Sequence, residues 1–117
     1  MQLNHLDLSV PDVAATAAFF VAGFGFHVLE ERGNHGMAIL RGEDGFILVL
    51  TRCAEPQYPT SFHIGFLLPS EAAVIQAHLR LLAAGVDVPA PPARMRGALL
   101  FYCRAPGGVL VEIAHRS

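Results

Sequence analysis

Leu3-Asn4-His5-Leu6-Asp7-Leu8-Ser9-Val10-Pro11 and Ser61-Phe62-His63-Ile64-Gly65-Phe66-Leu67-Leu68-Pro69 are two copies of one pattern. Each copy has a histidine at its third position, continues as an apolar strand and stops at a proline that leads into an alanine-rich segment. Successive side chains of a strand point to opposite faces, so Leu6, Leu8 and Val10 share one face and His5, Asp7 and Ser9 share the other. A repeat that carries a histidine in both copies points to two strands bringing two ligands into one shared site.

Working outward, the same order of elements follows both copies. After the first, Pro11-Asp12 suits a helix start, because proline fits the first turn and a carboxylate favours the helix dipole. The helix runs through Ala14, Ala17, Phe20 and Val21 to Gly23 or Gly25. A strand over 26–32 follows, then a Gly33-Asn34-His35-Gly36 hairpin turn, a strand over 37–41, a turn at 42–45 and a strand over 46–51. After the second copy, a helix through Val74, Ile75, His78, Leu81 and Leu82 ends at Gly85. A strand is expected to begin at Val86 and run into the loop Pro89–Pro92, followed by strands over 99–104 and 109–114. Matching the turns sets Arg41 against Arg104 and Gly45 against Gly108. The chain therefore reads as α+β, a single domain over 1–117 built of two βαβββ units at about 1–53 and 60–117 with a linker at 54–59. One helix covers one face of each mixed four-stranded sheet, and the other face is left to line a cupped cavity.

The composition excludes several classes. Hydrophobic residues make up 53% and charged residues 15% of 117 residues, enough for one core with a surplus for a cavity or a subunit interface. A net charge of −2 gives no footprint for nucleic acid or an acidic membrane surface. All 8 basic residues are arginine, so a Schiff-base lysine and a lysine phosphate clamp are excluded. Cys53 and Cys103 form no CxxC pair and read as thiols rather than a disulfide. No run approaches the ~20 apolar residues of a membrane span, and the first residues lack a signal-peptide pattern, so the chain reads as soluble and cytoplasmic.

The residues that could carry chemistry lie on three strands. In the last strand, Leu110, Glu112 and Ala114 share a face. Glu112 is an isolated carboxylate among apolar residues, where it needs a cation, a strong donor or water. Two imidazoles, His5 and His63, with Glu112 would make a two-histidine, one-carboxylate set that leaves coordination positions open and suits Fe(II), Mn(II), Ni(II) or Zn(II). Asp7 and Ser9 share the face of His5, either as a solvated rim or as a general base and substrate contact. Arg96 and Arg104 are either ordinary exposed arginines or partners for an anionic substrate. His27, His35, His78 and His115 are expected at the surface, and Phe46, Phe66 and Phe101 in the core.

The chain resembles the vicinal oxygen chelate superfamily, the glyoxalase, bleomycin-resistance and extradiol-dioxygenase fold. The resemblance spans essentially the whole chain. It rests on Asn4-His5-Leu6-x-Leu8-x-Val10, Phe19-Phe20 with Gly25-Phe26, Phe62-His63-Ile64, and Phe101-Tyr102 followed by Pro106-x-Gly108-x-x-x-Glu112. It implies metal ligands in the first and last strands of the units, at His5, His63 and Glu112. The fourth ligand position of the glyoxalase I enzymes falls on Val49, which then lines the substrate side. Three ligands resemble instead the extradiol dioxygenases and the fosfomycin-resistance thiol transferases. The latter carry a threonine where this chain has Asp7. By the same resemblance Tyr102 offers its hydroxyl to a ligand, and the candidate substrate contacts are Ser9, Val49, Tyr102 and Arg104.

The expected activity is that of a divalent-metal-dependent enzyme. It would act on a small oxygenated substrate by bidentate chelation and Lewis-acid stabilisation of an anionic intermediate. The alternative is a non-enzymatic small-molecule binding or resistance protein of the same fold. The short linker favours units set edge to edge in a homodimer, with His5 of one subunit meeting His63 and Glu112 of the other.

Overall fold

The computed structural model describes residues 1–117, which divide into two compact units, Met1–Gln57 and Tyr58–Ser117. The first contains β1 (His5–Val10), α1 (Val13–Phe24), β2 (His27–Arg32), β3 (Met37–Arg41) and β4 (Ile47–Arg52). The second contains β5 (His63–Leu67), α2 (Glu71–Ala83), β6 (Ala93–Met95), β7 (Ala98–Arg104) and β8 (Leu110–Arg116). The sheet orders are β1-β4-β3-β2 and β5-β8-β7-β6. In each sheet the first strand pairs parallel with the last, and the remaining pairs are antiparallel. The helix supplies the crossover that a parallel pair requires.

The proline of each repeat stands just outside the helix, and the next residue caps it. The Asp12 carboxylate accepts from the Ala15 N–H at 3.0 Å, and the Ser70 hydroxyl oxygen accepts from the Ala73 N–H at 3.1 Å. Each satisfies one of the backbone donors that a helix start leaves unpaired. Gly25 ends α1 with a left-handed φ of 73°, and a Cβ there would stand 2.5 Å from Glu43 Oε1, so glycine answers both the turn and the close approach.

The helix side of the first sheet buries Leu8, Val10, Ala38, Leu40, Leu48 and Leu50 against Val13, Ala17 and Phe20 of α1. Phe20 is fully buried and meets Phe19, Phe24 and Phe26 with ring centroids 5.0–5.6 Å apart. Burying such a side chain stabilises the fold by roughly 1.5–3 kcal/mol. Thr16, polar and fully buried beside it, donates its hydroxyl to the Asp12 carbonyl at 2.7 Å. In the second unit α2 sets Val74, Ala77 and Leu81 against β7 and β8, where Leu99, Phe101, Cys103, Val111 and Ile113 are buried. β2 is exposed along its whole length and carries Glu30, Glu31 and Arg32, which protect an edge strand from pairing with another chain.

Two expectations are corrected. No strand runs from Val86. Asp87 makes one isolated bridge to Arg104, and the fourth strand of the sheet is Ala93–Met95. Pro89, Pro91 and Pro92 have no N–H to offer a ladder, so pairing with β7 waits until they have passed. His78 and His115 are half-buried rather than at the surface. The His78 ring packs edge-on against Phe101 at 5.1 Å, and His115 Nδ1 lies 2.9 Å from the Leu68 carbonyl oxygen. His27 and His35 are exposed as expected. No helix is long and apolar enough to cross a membrane. Cys53 and Cys103 are free thiols.

Candidate functional site

The face of each sheet turned away from its helix carries the polar residues singled out above. Their registers are parallel. In the second sheet Gly65, Glu112 and Tyr102 stand side by side on β5, β8 and β7. In the first, the corresponding row is Asp7, Val49 and Ile39 on β1, β4 and β3. Val49 therefore holds the place of Glu112, and the carboxylate of the first unit sits one strand over, at Asp7.

His63 stands one row from Glu112, opposite Leu110. Its Nδ1 lies 2.9 Å from the Ser61 carbonyl oxygen. A carbonyl can only accept, so Nδ1 is the donor in this contact and Nε2 is the nitrogen left to face Glu112. That Nε2 is 3.8 Å from Glu112 Oε1. His5 has the same arrangement in the first unit, with Nδ1 2.8 Å from Asn4 Oδ1. Both rings are thus held by Nδ1 with Nε2 outward, the arrangement that second-shell acceptors impose on metal-ligating histidines.

The Glu112 side chain is only 12% exposed, and its two oxygens have different neighbours. Oε1 accepts the Tyr102 hydroxyl at 3.0 Å, and Oε2 faces Arg116 Nη2 at 3.6 Å. The His63 and Tyr102 rings meet edge-on at 5.9 Å. Burial pushes the Tyr102 phenol pKa up, and the hydrogen bond and charge of Glu112 push it further, so this hydroxyl stays a donor.

A divalent ion held at about 2.1 Å by one nitrogen and one oxygen sets them about 3.0–3.4 Å apart for angles of 90–109°. The 3.8 Å between His63 Nε2 and Glu112 Oε1 is a few tenths longer, within reach of a rotamer adjustment, so the pair fits a shared ion. No three His, Cys, Asp or Glu side chains stand grouped to hold a metal ion, and His5 belongs to the other unit.

On the His5 face of the first sheet, Asp7 Oδ1 accepts the Thr51 hydroxyl at 2.8 Å. Ser9 lies opposite Thr51 in the register. Arg104 is turned onto its own hairpin, donating to the Gly108 carbonyl at 3.3 Å. Sequence reasoning missed Ser61, Thr51 and Arg116 as supports. Face parity would have found the last two, since Thr51 lies two residues from Val49 and Arg116 four from Glu112 along their strands.

Comparison with known proteins gives a consistent answer. The sequence profile of the Glyoxalase/Bleomycin resistance protein/Dioxygenase superfamily matches residues 2–113. An uncharacterised protein of Pseudomonas aeruginosa is 35% identical over 123 residues, covering 97% of this chain and 87% of its own. The structure of a possible glyoxalase from Bacillus cereus superposes with a TM-score of 0.87 at 41% identity, over 97% of both chains. A genomically encoded fosfomycin resistance protein of Listeria monocytogenes shares the fold, with a TM-score of 0.83 at 22% identity over 100% of this chain and 94% of its own.

Proposed function

The chain belongs to the Glyoxalase/Bleomycin resistance protein/Dioxygenase superfamily, and on that premise we propose that it is a divalent-metal-dependent enzyme acting on a small oxygenated substrate. The ligand set of this reading is His5, His63 and Glu112, with His5 of one subunit serving the His63 and Glu112 of its partner in a homodimer. Fe, Mn, Ni and Zn all suit two imidazoles and a carboxylate.

The observation that carries the reading is the state of the His63–Glu112 pair. His63 is locked by Ser61 with its Nε2 outward, 3.8 Å from a carboxylate oxygen already oriented by Tyr102. When bound, a divalent ion supplies Lewis acidity toward a chelated substrate oxygen. The protein's own groups do the rest. Tyr102 holds Glu112 Oε1 in place. Asp7, with Oδ1 fixed by Thr51, takes or returns a substrate proton at Oδ2. Ser9, Val49 and Arg104 complete the contacts to the substrate. Two free thiols suit a reducing, cytoplasmic setting.

The test is metal analysis of protein purified without chelator, followed by thermal-shift titrations with Mn(II), Fe(II), Ni(II) and Zn(II). The reading requires a bound or bindable ion that His63→Ala and Glu112→Gln both abolish. An unmetallated protein that none of the four ions stabilises would sink it. Ligand binding that His63→Ala leaves intact would favour a non-catalytic binding protein of the same fold.

A further inference from the structure

Beyond His63, Tyr102 and Glu112, the open face of the second sheet carries Arg116 at its far end, with Arg96 in the adjoining turn. Along β8 that face reads Glu112, Ala114, Arg116. At about 3.3 Å per residue the first and last Cα atoms are roughly 13 Å apart, so the two side chains must lean toward one another over the alanine. Arg116 does so, bringing Nη2 to 3.6 Å from Glu112 Oε2. Ala98, directly opposite Arg116 on β7, is also small, and Ala98, Leu100 and Ala114 form a buried apolar floor against which Tyr102 packs.

This ion pair is a loose one. In the same unit Arg94 grips Glu71 with both terminal nitrogens, at 2.6 and 2.8 Å. Arg116 approaches Glu112 with one nitrogen, beyond hydrogen-bond range, and its side chain is 55% exposed. Most of the five donors of its guanidinium are therefore uncommitted. Arg96 stands nearby. It holds the first position of the two-residue β6–β7 turn at a left-handed φ of 52°, a conformation usually given to glycine or asparagine, and Gly97 follows at 75°. The next residue, Ala98, pairs with Arg116, which brings the turn and the strand end together. The charges of Arg96 and Arg116 both act on the Tyr102 hydroxyl, against burial and Glu112.

The geometry points to Arg116, with Arg96 beside it, as an anion subsite: the substrate carries a carboxylate, phosphate or phosphonate group that seats on these guanidinium groups, over Ala98, Leu100 and Ala114, while its chelating oxygens face His63 and Glu112. This rests on the proposed metal reading for the chelating end and on the second unit alone for the anion end. Glu112 is divided between the two, with Oε1 on the side of His63 and Tyr102 and Oε2 on the side of Arg116. An oxyanion that accepts two short guanidinium hydrogen bonds outcompetes a 3.6 Å contact for Arg116. A neutral substrate gives those donors nothing to bind.

The test uses glycerol 3-phosphate, which carries vicinal hydroxyls and a charged group, against glycerol, which carries the hydroxyls alone. Both are titrated into Mn(II)-loaded protein by calorimetry, with Mn(II) affinity measured separately and inorganic phosphate titrated into metal-free protein. Glycerol 3-phosphate is expected to bind more tightly than glycerol. Arg116→Met weakens it by about tenfold or more, and Arg116→Lys, which keeps the charge without the fork, falls between. Mn(II) affinity of Arg116→Met is no lower than that of wild type, since a neighbouring cation has been removed from Glu112. Equal binding of the two probes overturns the subsite, as does a preference that Arg104→Met removes and Arg116→Met does not. If Mn(II) fails to bind but inorganic phosphate still binds wild type and not Arg116→Met, the metal reading fails and the anion subsite stands.

Discussion

Gly65 lies directly across from Glu112 in the parallel β5–β8 pair, and a Cβ built on it would stand 3.7 Å from Glu112 Oε2. The most important carboxylate of the second unit thus has no side chain beside it on β5, whereas the corresponding pair in the first unit is Asp7 and Val49. A methyl group fits at that distance. Gly65→Ala should keep metal binding and stabilise the fold by about 0.4–1 kcal/mol, through the lost freedom of the unfolded chain. Gly65→Leu should fold, by circular dichroism, yet lose metal affinity by roughly tenfold or more as its side chain displaces the carboxylate. Wild-type affinity in Gly65→Leu would show that the open place beside Glu112 has no role.

Tyr102 supports Glu112 from the other side, through a 3.0 Å hydrogen bond. Its raised pKa, set first by burial and then by Glu112, keeps the phenol protonated at neutral pH. Tyr102→Phe removes a donor to a charged acceptor and keeps the ring on its apolar floor. Denaturant unfolding should show a loss of about 1.5–3 kcal/mol. Metal titration should show a roughly 10–100-fold weaker affinity, as expected for a group that orients a ligand. An unchanged metal affinity with the stability loss alone would reduce Tyr102 to a core residue.

Much of this arrangement was legible in the sequence, because strand period and repeat symmetry are local signals. The copies around His5 and His63, the prolines that end them and the alternation in the first strand are enough to order the elements. The fourth strand of the second unit was misplaced because Val86-Asp87-Val88 has strand-like residues, and the prolines that follow deny it a ladder. Thr51 and Arg116 share the strand faces of Val49 and Glu112, so face parity makes them candidates, but their roles as supports were not legible. Their importance depends on which atoms meet across strands or around a turn. A backbone carbonyl such as that of Ser61 leaves no trace in residue type at all.

Cys103 offers a pH test away from the site. It is fully buried, and burial first and Asp87 second push its thiol pKa up from 9.0 to about 11. A raised acid pKa favours the neutral folded form. The stability it contributes is complete below pH 9 and is lost as pH rises toward 11, because there the unfolded chain has released a proton that the folded one retains. Cys103→Ala should flatten the fall in stability between those values, with Tyr102→Phe needed as a control for phenol ionisation above pH 10. At pH 8 a thiol reagent should modify half-buried Cys53 in the native protein and reach Cys103 only on unfolding. Two equally fast thiols would mean that the core of the second unit opens readily.

In the proposed set the third ligand has to come from outside the second unit. The second unit supplies His63 and Glu112. The first supplies His5 and, with Val49 in the place of Glu112, no equivalent carboxylate, so neither unit alone completes the proposed set. If His5 serves the partner subunit, His5→Ala and Glu112→Ala fail for different reasons. The first keeps His63 and Glu112, and the second keeps His5. A mixed dimer then has one site with all three ligands and one with His63 alone. Mixing the two inactive variants after reversible dissociation should restore metal binding to as many as half the sites of the mixed dimers. Native mass spectrometry would count those dimers, and metal titration would count the sites. Metal affinity of the wild type should also fall on dilution below the dimer dissociation constant, since separation breaks every site. Mixed dimers that form and bind no metal would place all three ligands within one chain.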